Sequence, residues 1–225
     1  MVSKSTGQYS KLVLSYRVRN NLYINLTNRC NAACWFCDSK GESFYFGQSL
    51  KMKRSEEPPA VTFMKEIGDP KKYNEIVFCG FGEPTIRLKV LIQVAKYVKD
   101  NGGKTRLNTN GHGNYINKRN IIPEIKPYID GISVSMNFID RREYAKLMEV
   151  KQALYDEMLD FSNKCIEAGM RVSITVIELP GFDLEKARNF VKENIKGASF
   201  RPRPMTDFGD ANLQKKLLAY KPILS

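Results

Sequence analysis

The sequence predicts an α/β fold, a partial, TIM-like (β/α)6 barrel built on a parallel sheet. Three observations predict it. Six short apolar runs of strand type alternate with amphipathic runs of helix type, the alternation that yields parallel strands joined by crossovers. Six units are too few to close an eight-fold barrel, so the sheet should stay open. Polar residues and glycines collect in the loops that follow the strands, where the chemistry of such folds sits.

The elements are justified in chain order. Residues 1–20 are polar and basic and read as an N-terminal extension, with a short strand expected over 11–16. The barrel is expected over 21–205 and opens with an apolar strand at 22–26. A loop carrying Cys30, Cys34 and Cys37 follows. Residues 38–60 contain Gly41, Gly47 and Glu56-Glu57-Pro58-Pro59 and read as an irregular excursion off the barrel. A short helix over 62–67, capped by Thr62, stops at Gly68-Asp69-Pro70. The strand at 75–79 leads into the loop Gly80-Phe81-Gly82-Glu83-Pro84-Thr85. Residues 88–101 place Leu88, Leu91, Ile92, Ala95 and Val98 on one helical face, with Gly102-Gly103 beyond the end. A strand at 104–108, a helix at 117–125, a strand at 131–136 and a long helix at 150–168 come next. The last unit comprises a strand at 171–177, a helix at 183–194 opened by Asp183, and a strand at 197–201. Residues 206–225 form a tail with a helical stretch near 213–219.

The 225 residues are 42% hydrophobic, enough for one large domain with its own core. No apolar run approaches the ~18 residues that a membrane helix needs, and Met1-Val2-Ser3-Lys4 has no apolar signal core. A cytoplasmic protein with no membrane role is expected. The net charge of +12 is consistent with an anionic partner or with a generic basic surface.

The five cysteines are an odd number with three crowded together, which is no disulfide framework. Cys79 and Cys165 stand apart and read as small buried hydrophobes. Cys30, Cys34 and Cys37 fall within eight residues, and three thiolates at these spacings can ligate three irons of a cubane cluster, leaving a fourth iron open. The rival is zinc, which wants four ligands and would need the only histidine, His112, to complete a Cys3His set. The donor count favours the cluster. A solvated loop is the expected setting of His112, and core packing that of Trp35.

The spacing Cys30-x3-Cys34-x2-Cys37 after a first strand resembles the signature of the radical SAM superfamily, in particular its small members found with TatD-family hydrolases. The resemblance extends through Phe78-Cys79-Gly80-Phe81-Gly82-Glu83-Pro84-Thr85, Leu107-Asn108-Thr109-Asn110-Gly111 and Gly131-Ile132-Ser133-Val134-Ser135-Met136-Asn137. It implies a [4Fe–4S] cluster on Cys30, Cys34 and Cys37, with S-adenosyl-L-methionine on the open iron. It implies that Phe36 meets the adenine and that the loop of Gly80, Gly82, Glu83 and Pro84 receives the methionine amino group. Asn108, Asn110 and Ser135 become candidates for ribose and carboxylate contacts.

The resemblance further implies an oxidoreductase-type radical enzyme. It would cleave the sulfonium reductively to a 5′-deoxyadenosyl radical that takes a hydrogen atom from a substrate. A reductant such as flavodoxin or ferredoxin and association with a TatD-family hydrolase are further implications. Asn137, Glu178, Arg201 and Arg203 lie at the ends of the last three strands and are the candidate catalytic groups on the substrate side. Paired guanidiniums in Arg201-Pro202-Arg203 suit an anionic group. Two other readings stay open: an activating enzyme that places a radical on a protein partner, and a basic, metal-stabilised nucleic-acid-binding protein.

Overall fold

The computed structural model describes residues 12–37, 44–45, 48–204, 215 and 218–219. What the sequence leads one to expect of residues 1–11, including the start of the strand over 11–16, of most of 38–47, and of most of the tail with its helical stretch near 213–219 lies outside the described residues.

Seven strands form one sheet in the order β1-β2-β5-β6-β7-β8-β9. Strand β1 (Ser15–Val18) pairs antiparallel with β2 (Asn21–Ile24) across a turn at Arg19-Asn20. From β2 onward the strands β5 (Ile76–Phe78), β6 (Thr105–Thr109), β7 (Gly131–Ser135), β8 (Arg171–Ile177) and β9 (Ser199–Arg203) are all parallel and adjacent in chain order. A small second sheet pairs β3 (Phe44–Tyr45) with β4 (Gln48–Ser49). Helix α1 (Ala60–Ile67) lies between β2 and β5, and α2 (Leu88–Asp100) between β5 and β6. The short α3 (Gly113–Asn117) and α4 (Ile122–Ile125) join β6 to β7. Helices α5 (Arg141–Met148) and α6 (Ala153–Glu167) join β7 to β8, and α7 (Leu184–Asn194) joins β8 to β9.

The two faces of the sheet differ because side chains alternate along each strand. The register aligns Ile24, Phe78, Leu107, Ile132 and Val172 into one apolar row across five strands. All five are buried, and they pack with Phe63 and Ile67 of α1, Leu91, Ala95 and Val98 of α2, and Met158 and Phe161 of α6. Full burial of side chains of this size contributes about 1.5–3 kcal/mol each. The other face is polar. There the register sets Asn108 beside Ser133 and Ser133 beside Ser173, then Ser135 beside Thr175 and Thr175 beside Arg201.

The six parallel strands match the sequence expectation, and the differences have local causes. The sheet starts earlier than residue 21, because β1 caps its first edge. Helix α1 starts at Ala60 behind Pro59 rather than at Thr62. The expected helix over 117–125 is split in two. Lys118 has φ 54, and the Asn114 and Asn120 side chains bond the backbone N–H of Ile121 and Ile122, a local competition that breaks a helix. Helix α5 was not expected. Its first turn is fixed by Asp140, whose carboxylate accepts from Arg142 N–H and Glu143 N–H at 2.8 Å each. Strand β9 is shifted two residues onward and holds Pro202, which an edge strand tolerates.

Candidate functional site

The cysteine loop leaves the carboxyl end of β2 through a firmly anchored segment. Arg29 forms a two-pronged pair with Glu57, Nε to Oε1 at 2.9 Å and Nη2 to Oε2 at 2.8 Å. Thr27 donates to the same carboxylate. Arg87 approaches Glu57 at 3.5 Å and donates to the Leu26 carbonyl at 2.8 Å. Burial alone would raise the Glu57 carboxyl, but the hydrogen bonds from Arg29 and Thr27 hold it below its ordinary value.

The loop itself docks on the end of α5. Ala33 N–H donates to the Met148 carbonyl at 3.2 Å, and Trp35 N–H to the Leu147 carbonyl at 2.8 Å. Cys37 N–H closes a turn on the Cys34 carbonyl at 3.0 Å. None of the three thiols is in a disulfide; Cys30 is exposed, and Cys34 and Cys37 are half-buried. Although the Cys30 residue is exposed, its thiol is pushed up to about 11, by burial first and the charge of Glu83 second. Such a thiol stays protonated at neutral pH until a metal displaces the proton. The Cys34 sulfur sits 3.5 Å from the Met148 thioether. Phe36 is buried, its ring 5.9 Å from that of Phe138.

Asn31, between the first two cysteines, is the loop's side-chain anchor. Its Oδ1 accepts from Asn110 Nδ2 at 2.8 Å, so its Nδ2 faces His112 Nδ1 at 3.0 Å as a donor. That leaves Nδ1 as the acceptor and puts the ring proton on Nε2, which donates to the Tyr144 hydroxyl at 2.8 Å. His112 is therefore a fully buried neutral imidazole and not a solvated loop residue. Burial drives its pKa down to about 4, against a smaller upward pull from the Leu154 backbone. With both ring nitrogens engaged inside the protein, His112 is not placed to complete a zinc site. Asn110 is also committed, since its Oδ1 accepts from His112 N–H at 3.0 Å and its Nδ2 lies 3.8 Å from Cys30 Sγ.

Glu83 is 2% exposed. Its Oε1 accepts from Thr85 N–H at 3.1 Å, Thr85 Oγ1 at 2.7 Å and Thr109 Oγ1 at 2.9 Å. Its Oε2 accepts from Asn110 N–H at 2.8 Å. Burial raises the carboxyl and these hydrogen bonds oppose it. Oε2 keeps one lone pair uncommitted among the described residues. Pro84 is buried at the start of the 3₁₀ turn that Glu83 caps. Gly80 and Gly82 serve close approach of the chain to itself. A Cβ at Gly82 would collide with the Thr27 and Arg29 carbonyls, and one at Gly80 with the Asn25 side chain.

The remaining candidates are more dispersed. Asn108 accepts from Arg106 at 2.6 Å, and Ser135 ends β7 half-buried. Asn137 is buried at φ 59, its Nδ2 3.5 Å from the Met148 sulfur and its N–H 3.1 Å from the Thr175 carbonyl. Glu178 and Arg201 are exposed and Arg203 is half-buried, with Glu178 N–H bonded to the Arg203 carbonyl. Glu83, Asn110 and the cysteine loop are thus brought together, while Glu178 and Arg201 stand at the sheet's far end. Sequence reasoning missed Tyr144, Met148 and Arg106. Asp140 followed three residues later by Glu143, the spacing of a capped helix start, was the available signal for α5 and hence for the first two. Cys165 is buried, as expected, whereas Cys79 is half-buried.

Fold and site define a class: an open parallel α/β barrel with a three-thiol loop at the carboxyl edge of its first parallel strand. The family model described as Radical SAM superfamily matches residues 24–193, and the chain belongs to that superfamily. A probable GTP 3′,8-cyclase of Sulfurisphaera tokodaii is 28% identical over 153 residues, covering 67% of this chain and 44% of that protein. The Fe-coproporphyrin III synthase of Methanosarcina barkeri is 28% identical over 151 residues, covering 67% of this chain and 35% of that one. The chain thus spans under half the length of these two relatives. Among solved structures, Streptococcus suis SuiB bound to S-adenosylmethionine superposes with a TM-score of 0.65 at 17% identity, over 88% of this chain and 43% of SuiB. The partial barrel is the shared fold.

The superfamily implies S-adenosylmethionine and an iron–sulfur cluster, and the donor set fits. Among the described residues no three His, Cys, Asp or Glu side chains converge on a single metal ion. Ligands of a cubane each bind a different iron and stand farther apart than ligands of one ion. Among the described residues no helix is long and apolar enough to cross a membrane.

Proposed function

We propose that this chain is a radical SAM enzyme in which Cys30, Cys34 and Cys37 hold a [4Fe–4S] cluster and S-adenosyl-L-methionine occupies the open iron. When bound, the pair supplies one-electron cleavage of the sulfonium to a 5′-deoxyadenosyl radical, which abstracts hydrogen from a substrate. The observation that carries this reading is the three-thiol loop with no fourth donor beside it among the described residues, inside a family match of 170 residues (24–193).

The chain's own groups bind, orient and exclude water. Asn31 and the α5 carbonyls fix the loop, and Oε2 of Glu83 offers its remaining lone pair to an ammonium. The polar sheet face, with Asn108, Ser135 and Asn137, offers hydrogen bonds to hydroxyls and a carboxylate. Arg201 and Arg203 suit an anionic group of the substrate, and a flavodoxin- or ferredoxin-type reductant supplies the electron.

Anaerobic reconstitution with iron and sulfide tests the reading. A brown protein that converts S-adenosylmethionine to methionine and 5′-deoxyadenosine under dithionite is expected. Cys30→Ala should lose cluster iron, and Cys165→Ala should keep it. A colourless protein that binds one zinc and leaves S-adenosylmethionine intact would overturn it.

A further inference from the structure

We propose that the last turn of α5 withholds two amides of the cysteine loop from its sulfurs and thereby holds down the reduction potential of the centre bound there. This rests on the cluster reading above. The potential of an iron–sulfur centre depends on the hydrogen bonds its sulfurs receive and on nearby charge. Every N–H aimed at a sulfur favours the extra electron. A short loop curled round three thiols tends to aim its amides inward, and Ala32 N–H does so, 3.5 Å from Cys30 Sγ.

The amides on either side of the middle ligand do the opposite. Ala33 N–H and Trp35 N–H, flanking Cys34, are drawn outward to the Met148 and Leu147 carbonyls at 3.2 and 2.8 Å. Those carbonyls are available because they belong to the last turn of a helix, whose C=O groups have no partner within it. The helix stops there because Glu149 adopts φ 51 and returns its N–H to the Ala145 carbonyl. The same turn brings two further effects of the same sign. A helix carboxyl end carries partial negative charge, which disfavours an added electron nearby. The Met148 thioether lies 3.5 Å from Cys34 Sγ and accepts from the Asn137 amide at 3.5 Å, a neighbour that itself offers the sulfur no proton. Leu147, Met148 and Glu149 are positioning residues in this scheme. A centre that must reduce a sulfonium needs a low potential, and this turn favours one chiefly through its backbone carbonyls.

The test compares Glu149→Pro with Glu149→Gly. Proline fixes φ near −65° and removes the N–H that closes the turn, whereas glycine keeps the left-handed conformation without strain. In the cluster-free protein, Glu149→Pro should speed amide exchange at Ala33 and Trp35 at least tenfold. In the reconstituted protein it should make reduction about tenfold easier, an upward shift of 59 mV in a spectroelectrochemical titration. Glu149→Gly removes the same carboxylate but keeps the turn, so it should leave the exchange rates unchanged and shift the potential by far less than Glu149→Pro. Freed amides with an unmoved or lower potential would overturn the proposal.

Ala33→Pro provides a second test should Glu149→Pro fail to load. It deletes an amide that already faces away from the sulfurs, so the potential should stay put. A fall would mean that the amide had been serving the cluster, and the proposal would be wrong. Wild-type protein that assembles no cluster would instead remove the functional reading itself, a separate outcome.

Discussion

Acidification of the cluster-free protein should destabilise it through His112. The imidazole is fully buried and accepts from Asn31 at Nδ1 while donating to Tyr144 from Nε2. A second ring proton has to displace the Asn31 amide and sit without solvent. The folded pKa is accordingly about 4, below the ordinary 6.5. Between these values the unfolded chain binds more protons than the folded one, so stability is complete above about pH 6.5 and declines as pH falls. From those two values the loss is about 2 kcal/mol at pH 5 and approaches about 3 kcal/mol below pH 4. For a chain of this size, 2 kcal/mol lowers Tm by roughly 4–8 °C. Other carboxylates also titrate at pH 5, so the informative quantity is a difference. Urea unfolding of wild type and His112→Gln should be run at pH 7 and at pH 5. The glutamine does not titrate, so the wild-type advantage should shrink by about 2 kcal/mol at the lower pH. An advantage equal at both values would refute the buried neutral histidine.

Two further changes probe the loop's supports. Gly82→Ala places a methyl against the Thr27 and Arg29 carbonyls, and overpacking against rigid backbone should cost about 1–3 kcal/mol, read as a fall in Tm. Glu83→Gln keeps the volume but turns an amide NH2 toward either the Asn110 N–H or the three donors at Oε1. At least one buried donor then loses its acceptor, so unfolding free energy should drop by about 1–3 kcal/mol or more, and unchanged stability would show that the carboxylate is not what fastens these strands.

Much of the fold was legible because its signals are periodic. Each parallel strand buries alternate residues against helices, so Ile76, Phe78, Leu107, Ile132 and Ile174 announce themselves as apolar runs. The helix at 184–194 carried a cap at Asp183 that bonds Lys186 N–H at 2.8 Å and was visible for that reason. Helix α5 was not, because only one face of Arg141–Met148 is buried, through Tyr144, Leu147 and Met148, and the segment reads as charged. The asparagines at 114, 117 and 120 concealed a break inside an apparent helix, since their side chains bond backbone groups. The three cysteines were legible from spacing alone. His112 was not, because a lone histidine among glycines gives no sign that a tyrosine 32 positions later will close over it.

The motif residues also act on one another before they act on any cofactor. Glu83 ties the loop after β5 to the end of β6 through Thr109 and Asn110. Asn110 passes the connection to Asn31 in the cysteine loop, and Asn31 passes it to His112 and Tyr144 on α5. The carboxyl end of α5 then closes the circuit by accepting from Ala33 and Trp35. The loop is gripped on both sides, by side chains at its start and by backbone at its middle. Eight residues carrying three thiols have little internal structure of their own: the Cys37–Cys34 turn and the contact of Ala32 N–H with Cys30 Sγ are local, and the anchoring bonds run outward to other elements. Their shape is therefore set by β6 and α5, elements whose sequences contain no cysteine. A substitution in α5 that leaves every thiol in place can still alter the cysteine site, because the geometry resides in the partners and only the chemistry in the cysteines.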